Sequence, residues 1–239
     1  MSTVTLREPR PAFGARAAGG TRDLTVIAAT RLEALAARAV LPRGVAVARV
    51  GMGRRARREP PTCFIACGLA GALSERLRPG AVVVPPWVGL PSGERLPCSA
   101  PLVEALAAAA RRLGWEPLVA PLVTVPGLVT GRARQQWYAH GFAAADMETG
   151  WLLRQQPIGA TVRVVLDTPR HDLSPRWEQP LQALWQPGLW PELAWLGLRA
   201  LPYALRAAIV VRTALAPDHT RSTRPWWRGR GSDAAIRHR

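Results

Sequence analysis

Between residues 24 and 167, short apolar runs alternate with segments of helical spacing. Leu24–Ala29 is apolar almost throughout and predicts a buried strand, and Thr30–Ala39 predicts the helix that follows. Val45–Val50 predicts a second strand, ending in the turn signal Gly51-Met52-Gly53. Arg54–Pro61 reads as a charged connection, Cys63–Cys67 as a third strand, and Gly68-Leu69-Ala70-Gly71 as a Gly-rich turn after it. Ser74–Leu77 reads as a helical turn stopped by Pro79-Gly80, and Ala81–Val84 as a fourth strand. The Ala/Leu/Arg spacing of Ala100–Leu113 predicts an amphipathic helix ended by Gly114. Leu118–Val129 is strand-like but interrupted by prolines, and Arg132–Ala139 is helical. Phe142–Met147 then enters a strand, Thr149–Gln155 forms a helix, and Thr161–Asp167 forms a last strand. Apolar strands separated by helices indicate a largely parallel sheet covered on both faces.

After Asp167 the character changes. Residues 168–227 hold Trp177, Trp185, Trp190, Trp195, Trp226 and Trp227 among frequent Pro and Arg. Four segments follow from these shifts. Residues 1–22 read as a disordered arm without the apolar stretch of a signal peptide, and 23–175 as one α/β domain. Residues 176–217 read as a Trp/Arg-rich helical appendage, and 218–239 as a disordered basic tail. Leu193–Val211 is long and apolar but carries Arg199, Pro202 and Arg206. Two Arg at depth cost a spanning helix roughly 2.5–3.5 kcal/mol each. Two readings stand: a helix packed on the domain, or one lying in a membrane interface with Trp190, Trp195 and Tyr203 in the apolar layer and Arg199, Arg206 and Arg212 toward headgroups.

Composition narrows the chemistry. The 239 residues, 48% of them apolar, suit one domain with a sizeable core. The net charge is +16, and all 32 basic residues are Arg, which excludes Schiff-base and P-loop lysine chemistry. Such charge suits nucleic acid, an anionic membrane surface or a phosphorylated substrate. No nucleic-acid module is present, and two Tyr and three Phe are few for base stacking, so no specific nucleic acid is expected. Cys63, Cys67 and Cys98 are joined by no His cluster that would complete a metal site, so none is expected. Reduced thiols fit a cytoplasmic protein, peripheral to the inner membrane if the interfacial reading holds.

Sites in parallel sheets form at the carboxyl ends of strands. Glu148 closes Phe142–Met147 and Asp167 closes Thr161–Leu166, and a right-handed crossover places both at one sheet edge. Gly68 and Gly71 follow another strand end, where glycine lets backbone approach a ligand, and Glu33 follows the first strand. Three acids and a Gly-rich turn suit glycosidic cleavage, which needs a proton donor, a hold on the sugar and a positioned nucleophile. Acids at strand ends also serve simply as helix caps.

Three ordered segments resemble the superfamily of purine nucleoside phosphorylases and methylthioadenosine/adenosylhomocysteine nucleosidases. They are Val26–Glu33 (VIAATRLE), Cys67–Val84 (CGLAGALSERLRPGAVVV), and Ala144–Gly150 (AADMETG) with Val162–Asp167 (VRVVLD). The resemblance covers about residues 24–175. It implies an α/β, three-layer phosphorylase/hydrolase-like fold with a mostly parallel mixed sheet and a helical C-terminal appendage. It implies cleavage of the N-glycosidic bond of a purine nucleoside, without a cofactor and with phosphate open as co-substrate. By the same resemblance Asp167 protonates the leaving base and Glu33 activates water. Glu148 holds ribose hydroxyls with Met147 against the sugar, and Gly68, Ala70 and Gly71 line the pocket. Gly51 and Gly53 look like the second Gly-rich turn, and Gly53, Arg31 and Arg54 are the candidates for phosphate. Leu173-Ser174-Pro175 and the Leu/Ala/Arg-rich tail resemble most the hopanoid-associated phosphorylases, which implies adenosylhopane as substrate and a role in hopanoid biosynthesis.

The chain also departs from the pattern. The connection from Gly53 to Cys67 is short, Leu69 replaces a common Ser, and Thr-Pro-Arg-His-Asp follows Asp167, with His171 or Asp172 open as a second acid. Two functions therefore compete: a nucleoside-cleaving enzyme, or a weakened relative binding a membrane surface. The partners expected are a purine nucleoside, an anionic membrane surface and a second copy in a homo-oligomer.

Overall fold

The computed structural model describes residues 24–51, 61–156, 158–174, 176 and 186–216. The expected terminal segments, Gly53, Arg54 and the short connection after them lie outside the described residues. Among the described residues, nine strands form one mixed sheet, five pairings parallel and three antiparallel. They are β1 Leu24–Ala28, β2 Ala46–Arg49, β3 Cys63–Ala72, β4 Val82–Val83, β5 Trp87–Gly89, β6 Arg95–Pro97, β7 Leu122–Thr124, β8 Ala144–Asp146 and β9 Gly159–Asp167. The helices are α1 Arg31–Val40, α2 Ala100–Arg112, α3 Arg132–Ala139, α4 Thr149–Gln155 and α5 Trp190–Leu215.

The long strand β3 organises everything else. Its first part lies between β1 and β9, both parallel to it. Beyond the end of β1, its far end pairs with β8 through Gly71↔Ala145 and Ala72↔Ala144, antiparallel. The order β2-β1-β3-β8-β7-β5-β6 continues from there, and β9 carries β4 on its other side. Two expectations are corrected here. Gly68–Gly71 is not a turn; it is the second half of β3, extended because it hydrogen-bonds to β9. Nor do β8 and β9 run parallel, so no single edge carries the ends of both.

The hairpin β5–β6 has no counterpart in the sequence reading. Its turn, Leu90-Pro91-Ser92-Gly93, is closed by Gly93 N–H donating to Leu90 O at 2.9 Å, with Gly93 at φ +85°. Pro97 is tolerated because β6 is the last strand of the sheet and needs no second partner. Of the strand-like stretch 118–129, only Leu122–Thr124 forms a strand.

Helix α5 packs against β3 and β9 with α1 and α2 beside it. Ala204, Ala207, Ala208, Val210, Val211 and Ala214 are buried, small residues that let the helix approach the sheet closely. The turns before Pro202 are different: Trp190, Leu198 and Leu201 are exposed. Arg206 does not face outward, as the interfacial reading expects. Its Nη1 donates to Gly80 O at 2.6 Å, and its guanidinium lies 4.8 Å from the Trp115 ring centre.

Candidate functional site

Because β8 runs opposite to β1, the carboxyl ends of the two strands point at each other along the same side of β3. Between them, among the described residues, no strand pairs with β3 on that side at Gly68–Leu69. A backbone N–H there needs another acceptor. Leu69 N–H donates to Glu33 Oε1 at 2.8 Å. The other carboxylate oxygen, Oε2, accepts from Thr30 N–H and Thr30 Oγ1, both at 2.8 Å. Thr30 and Glu33 thus form a capping box at the start of α1. A cap explains the bonds to Thr30 but not the bond to a residue 36 positions away on β3.

On the other side of β3, Arg163 of β9 stands opposite Gly68 and is only 2% exposed. Its Nη2 lies 2.5 Å from Asp146 Oδ2 and 3.4 Å from Glu148 Oε2, and donates to Thr149 Oγ1 at 2.7 Å. Thr124 Oγ1 donates to Asp146 Oδ1 at 2.5 Å. Asp146, closing β8, therefore anchors the guanidinium that holds Glu148. Gly68 is required for this packing. A Cβ there would overlap the Glu33 carboxylate and lie 2.8 Å from Arg163 Nη1. Burial, with repulsion from Asp146 and Glu33, pushes Glu148 up to about 8 against the pull of Arg163.

Asp167 belongs to a second group, three residues further along β3 and therefore about 10 Å away. The β3–β9 register slips between Ala70 and Gly71, so Leu166 is the extra residue and Asp167 stands opposite Gly71. Bulges re-aim side chains in this way. Asp167 is 5% exposed and is paired with Arg134 Nη2 of α3. Arg134 also donates through Nη1 to Ala72 O and through Nε to Asp172 Oδ1, the latter at 2.5 Å. Burial pushes the Asp167 carboxyl up, Arg134 opposes the shift, and Asp172 adds to it. A small, partly open recess lies beside Asp167, lined by Gly71, Val125, Leu128, Val129, Ala145 and Met147 among others. Its walls are mostly apolar, with Asp146 and Asp167 supplying acid groups.

The residues expected at the site fall into three sets. Glu33, Glu148 and Gly68 meet at the gap beside β3, and Met147, Gly71 and Asp167 line the recess. Ala70 is a buried β3 residue between them. Arg31 is exposed at the start of α1, and Gly53 and Arg54 lie outside the described residues. Arg134, Asp146 and Thr124 were missed by sequence reasoning. Arg163 was missed as well, although a charged residue inside the apolar run VRVVLD is a signal that could have found it; Arg134, in the polar helix RARQQWYA, carries no such signal.

No protein-family model and no curated protein matches the chain. Solved structures do. A 5′-methylthioadenosine/S-adenosylhomocysteine nucleosidase from Neisseria meningitidis, in complex with methylthio-immucillin-A, is similar with a TM-score of 0.63 and 17% identity, over 80% of this chain and 97% of that one. S-adenosylhomocysteine nucleosidase from Streptococcus pyogenes gives 0.64 and 15%, over 83% and 98%. Futalosine hydrolase of Helicobacter pylori gives 0.62 and 11%, over 81% and 97%. The chain shares with these nucleosidases and this hydrolase an α/β fold built on a mixed, mostly parallel sheet with a C-terminal helix.

Proposed function

We propose that this protein cleaves the N-glycosidic bond of a purine nucleoside. The observation that carries the reading is the arrangement along β3: Glu33 and Glu148 at one end, Asp167 at the other, and an apolar recess beside Asp167. In this reading the base lies against the recess with a ring nitrogen toward Asp167, and the ribose lies toward Glu148 and Met147. The C1′–N9 bond breaks with its electron pair passing to the base, and Asp167 delivers a proton to the base as it leaves. Glu33 takes a proton from the water whose oxygen joins C1′. Glu148 holds the sugar hydroxyls while positive charge develops on the ring. The fold shared with nucleosidases supports the same reaction class.

Water is the nucleophile this site favours, because a buried carboxylate at that end orients water and repels a phosphate dianion. Purified protein incubated with adenosine-type and inosine-type nucleosides, including 5′-substituted ones, releases free base without added phosphate. Release only when phosphate is present reassigns the nucleophile. Absence of release from the whole set removes the reading.

A second reading concerns where the enzyme works, and the exposed apolar residues before Pro202 favour it. Trp190, Leu198 and Leu201 lie within about 100° of one another around α5, as a stripe facing away from the core. With the net charge of +16, the stripe suits an anionic membrane surface and a lipid-linked nucleoside such as adenosylhopane. Arg199 and Arg212 are the exposed cations of α5 in this reading. Sedimentation with anionic vesicles at low salt tests it, and equal recovery in the supernatant with and without vesicles ends it.

A further inference from the structure

Behind Asp167 lies an arrangement that glycosidic cleavage alone does not call for. Arg134 is 1% exposed and is shared by two carboxylates, Asp167 through Nη2 and Asp172 through Nε. Asp172 is itself fixed. Gly131 N–H, at the start of α3, donates to its Oδ2 at 2.8 Å. The loop that carries Asp172 is tied to α5 at two points. Ser174 N–H donates to Glu192 Oε1 at 2.8 Å, and the His171 ring stacks on Trp195 at 4.8 Å. Arg134 is not among the residues of the recess, so it acts on Asp167 from behind.

An Arg bound to one buried carboxylate locks it in the ionised form. A residue that must hand a proton to a leaving base cannot work in that state. We propose that Asp172 is a positioning residue that divides the Arg134 guanidinium between two carboxylates, so that Asp167 is held in place yet still takes up the proton it delivers. The proposal rests on the reading of Asp167 as the proton donor. One cation faces two anions, so the trio carries one surplus negative charge, which a single proton neutralises. Across the recess from Asp167 stands Asp146 of β8, whose charge is neutralised by Arg163. Burial raises the Asp167 carboxyl and Asp172 adds to the rise, the direction this sharing requires.

Asp172→Asn is the decisive variant. The Asp172 side chain is one-third exposed, so the change leaves the core intact. It returns the full guanidinium charge to Asp167, and the pH midpoint of Asp167 falls by about one unit. Protein labelled with ¹³C at aspartate carboxyls reads this midpoint directly, with Asp167→Asn assigning the signal. In base-release assays the alkaline limb of the pH profile moves down by the same amount, while the rate on the acid side is kept. Arg134→Gln moves the midpoint the other way, provided that the variant folds. A midpoint that stays put or rises in Asp172→Asn overturns the proposal. If the midpoint falls but no nucleoside is cleaved, the sharing stands and the proposed reaction is what fails. If base is released and the limb is unmoved, the reaction stands and the sharing fails.

Discussion

At the scale of residues, the site is a set of buried charges that neutralise one another, and each makes a distinct prediction. A general acid contributes roughly 10²–10⁴-fold in rate, so Asp167→Asn lowers base release by about that factor in a protein that remains folded. Turnover near the wild-type level would remove Asp167 from the reaction. Glu148 predicts a pH effect on stability. Its folded-state value of about 8 lies above the ordinary 4.5, so between these values the folded chain holds a proton that the unfolded chain has released. The contribution of Glu148 to stability is therefore largest below about pH 4.5 and declines as pH rises through 8. Chemical denaturation at pH 5 and pH 9 gives a smaller loss for Glu148→Gln than for the wild type, and an identical loss would contradict the assignment. Gly68→Ala forces the Glu33 and Arg163 side chains apart, at a cost of about 1–3 kcal/mol, the range for overpacking a tight interior. Its melting temperature and its base release fall together.

At the scale of elements, the capping box joins stability to chemistry. Thr30 orders the first turn of α1 and fixes Glu33 by two hydrogen bonds. Thr30→Ala costs about 1 kcal/mol of stability, as loss of an N-cap does. It also loosens Glu33, so base release falls beyond what the unfolded fraction explains; a fall that merely tracks that fraction would make Thr30 a cap and nothing more. Helix α5 differs in burial along its length. Past Pro202 it is core, and Arg206 belongs to that half, so Arg206→Gln lowers the unfolding free energy by about 1–3 kcal/mol through loss of the Gly80 contact. Before Pro202 the same kind of substitution has a different consequence. Leu198→Ser, at a position 77% exposed, leaves the melting temperature within a degree or two. A large drop on Leu198→Ser would show that this stripe is covered in solution.

At the scale of the whole molecule, the net charge of +16 makes any association with an anionic surface dependent on salt. Each basic residue near an anionic leaflet contributes about 1 kcal/mol, and the Debye length shrinks from roughly 10 Å at 0.1 M salt to 3 Å at 1 M. If the membrane reading holds, vesicle association fades with added salt, whereas the proposed cleavage of a soluble nucleoside, carried by buried groups that salt screens little, does not follow it. Parallel loss of both on adding salt would place the exposed Arg residues in substrate binding instead.

Local pattern was enough for the elements whose periodicity is set by burial. Leu24–Ala28, Arg31–Val40, Ala100–Arg112, Thr149–Gln155 and Gly159–Asp167 lie within a few residues of where the apolar runs and helical spacing place them. Each buries a continuous run or a single face, which is a property of sequence alone. The acids were legible too, because Glu33, Glu148 and Asp167 each end or follow an apolar strand. What the chain could not show locally is how β3 is partnered. Gly68–Gly71 has the composition of a turn, and it is held extended by β9, some 95 residues later in the chain. The reversal of β8 relative to β1, which opens the gap where Glu33 and Glu148 meet, comes from a register between distant strands. Arg134 reads as one more arginine on a polar helix until the ends of β3 and β9 are brought against it. Burial, and with it the meaning of a charge, is a relation between segments far apart in sequence, so only the folded chain distinguishes a surface arginine from one that holds an acid in place.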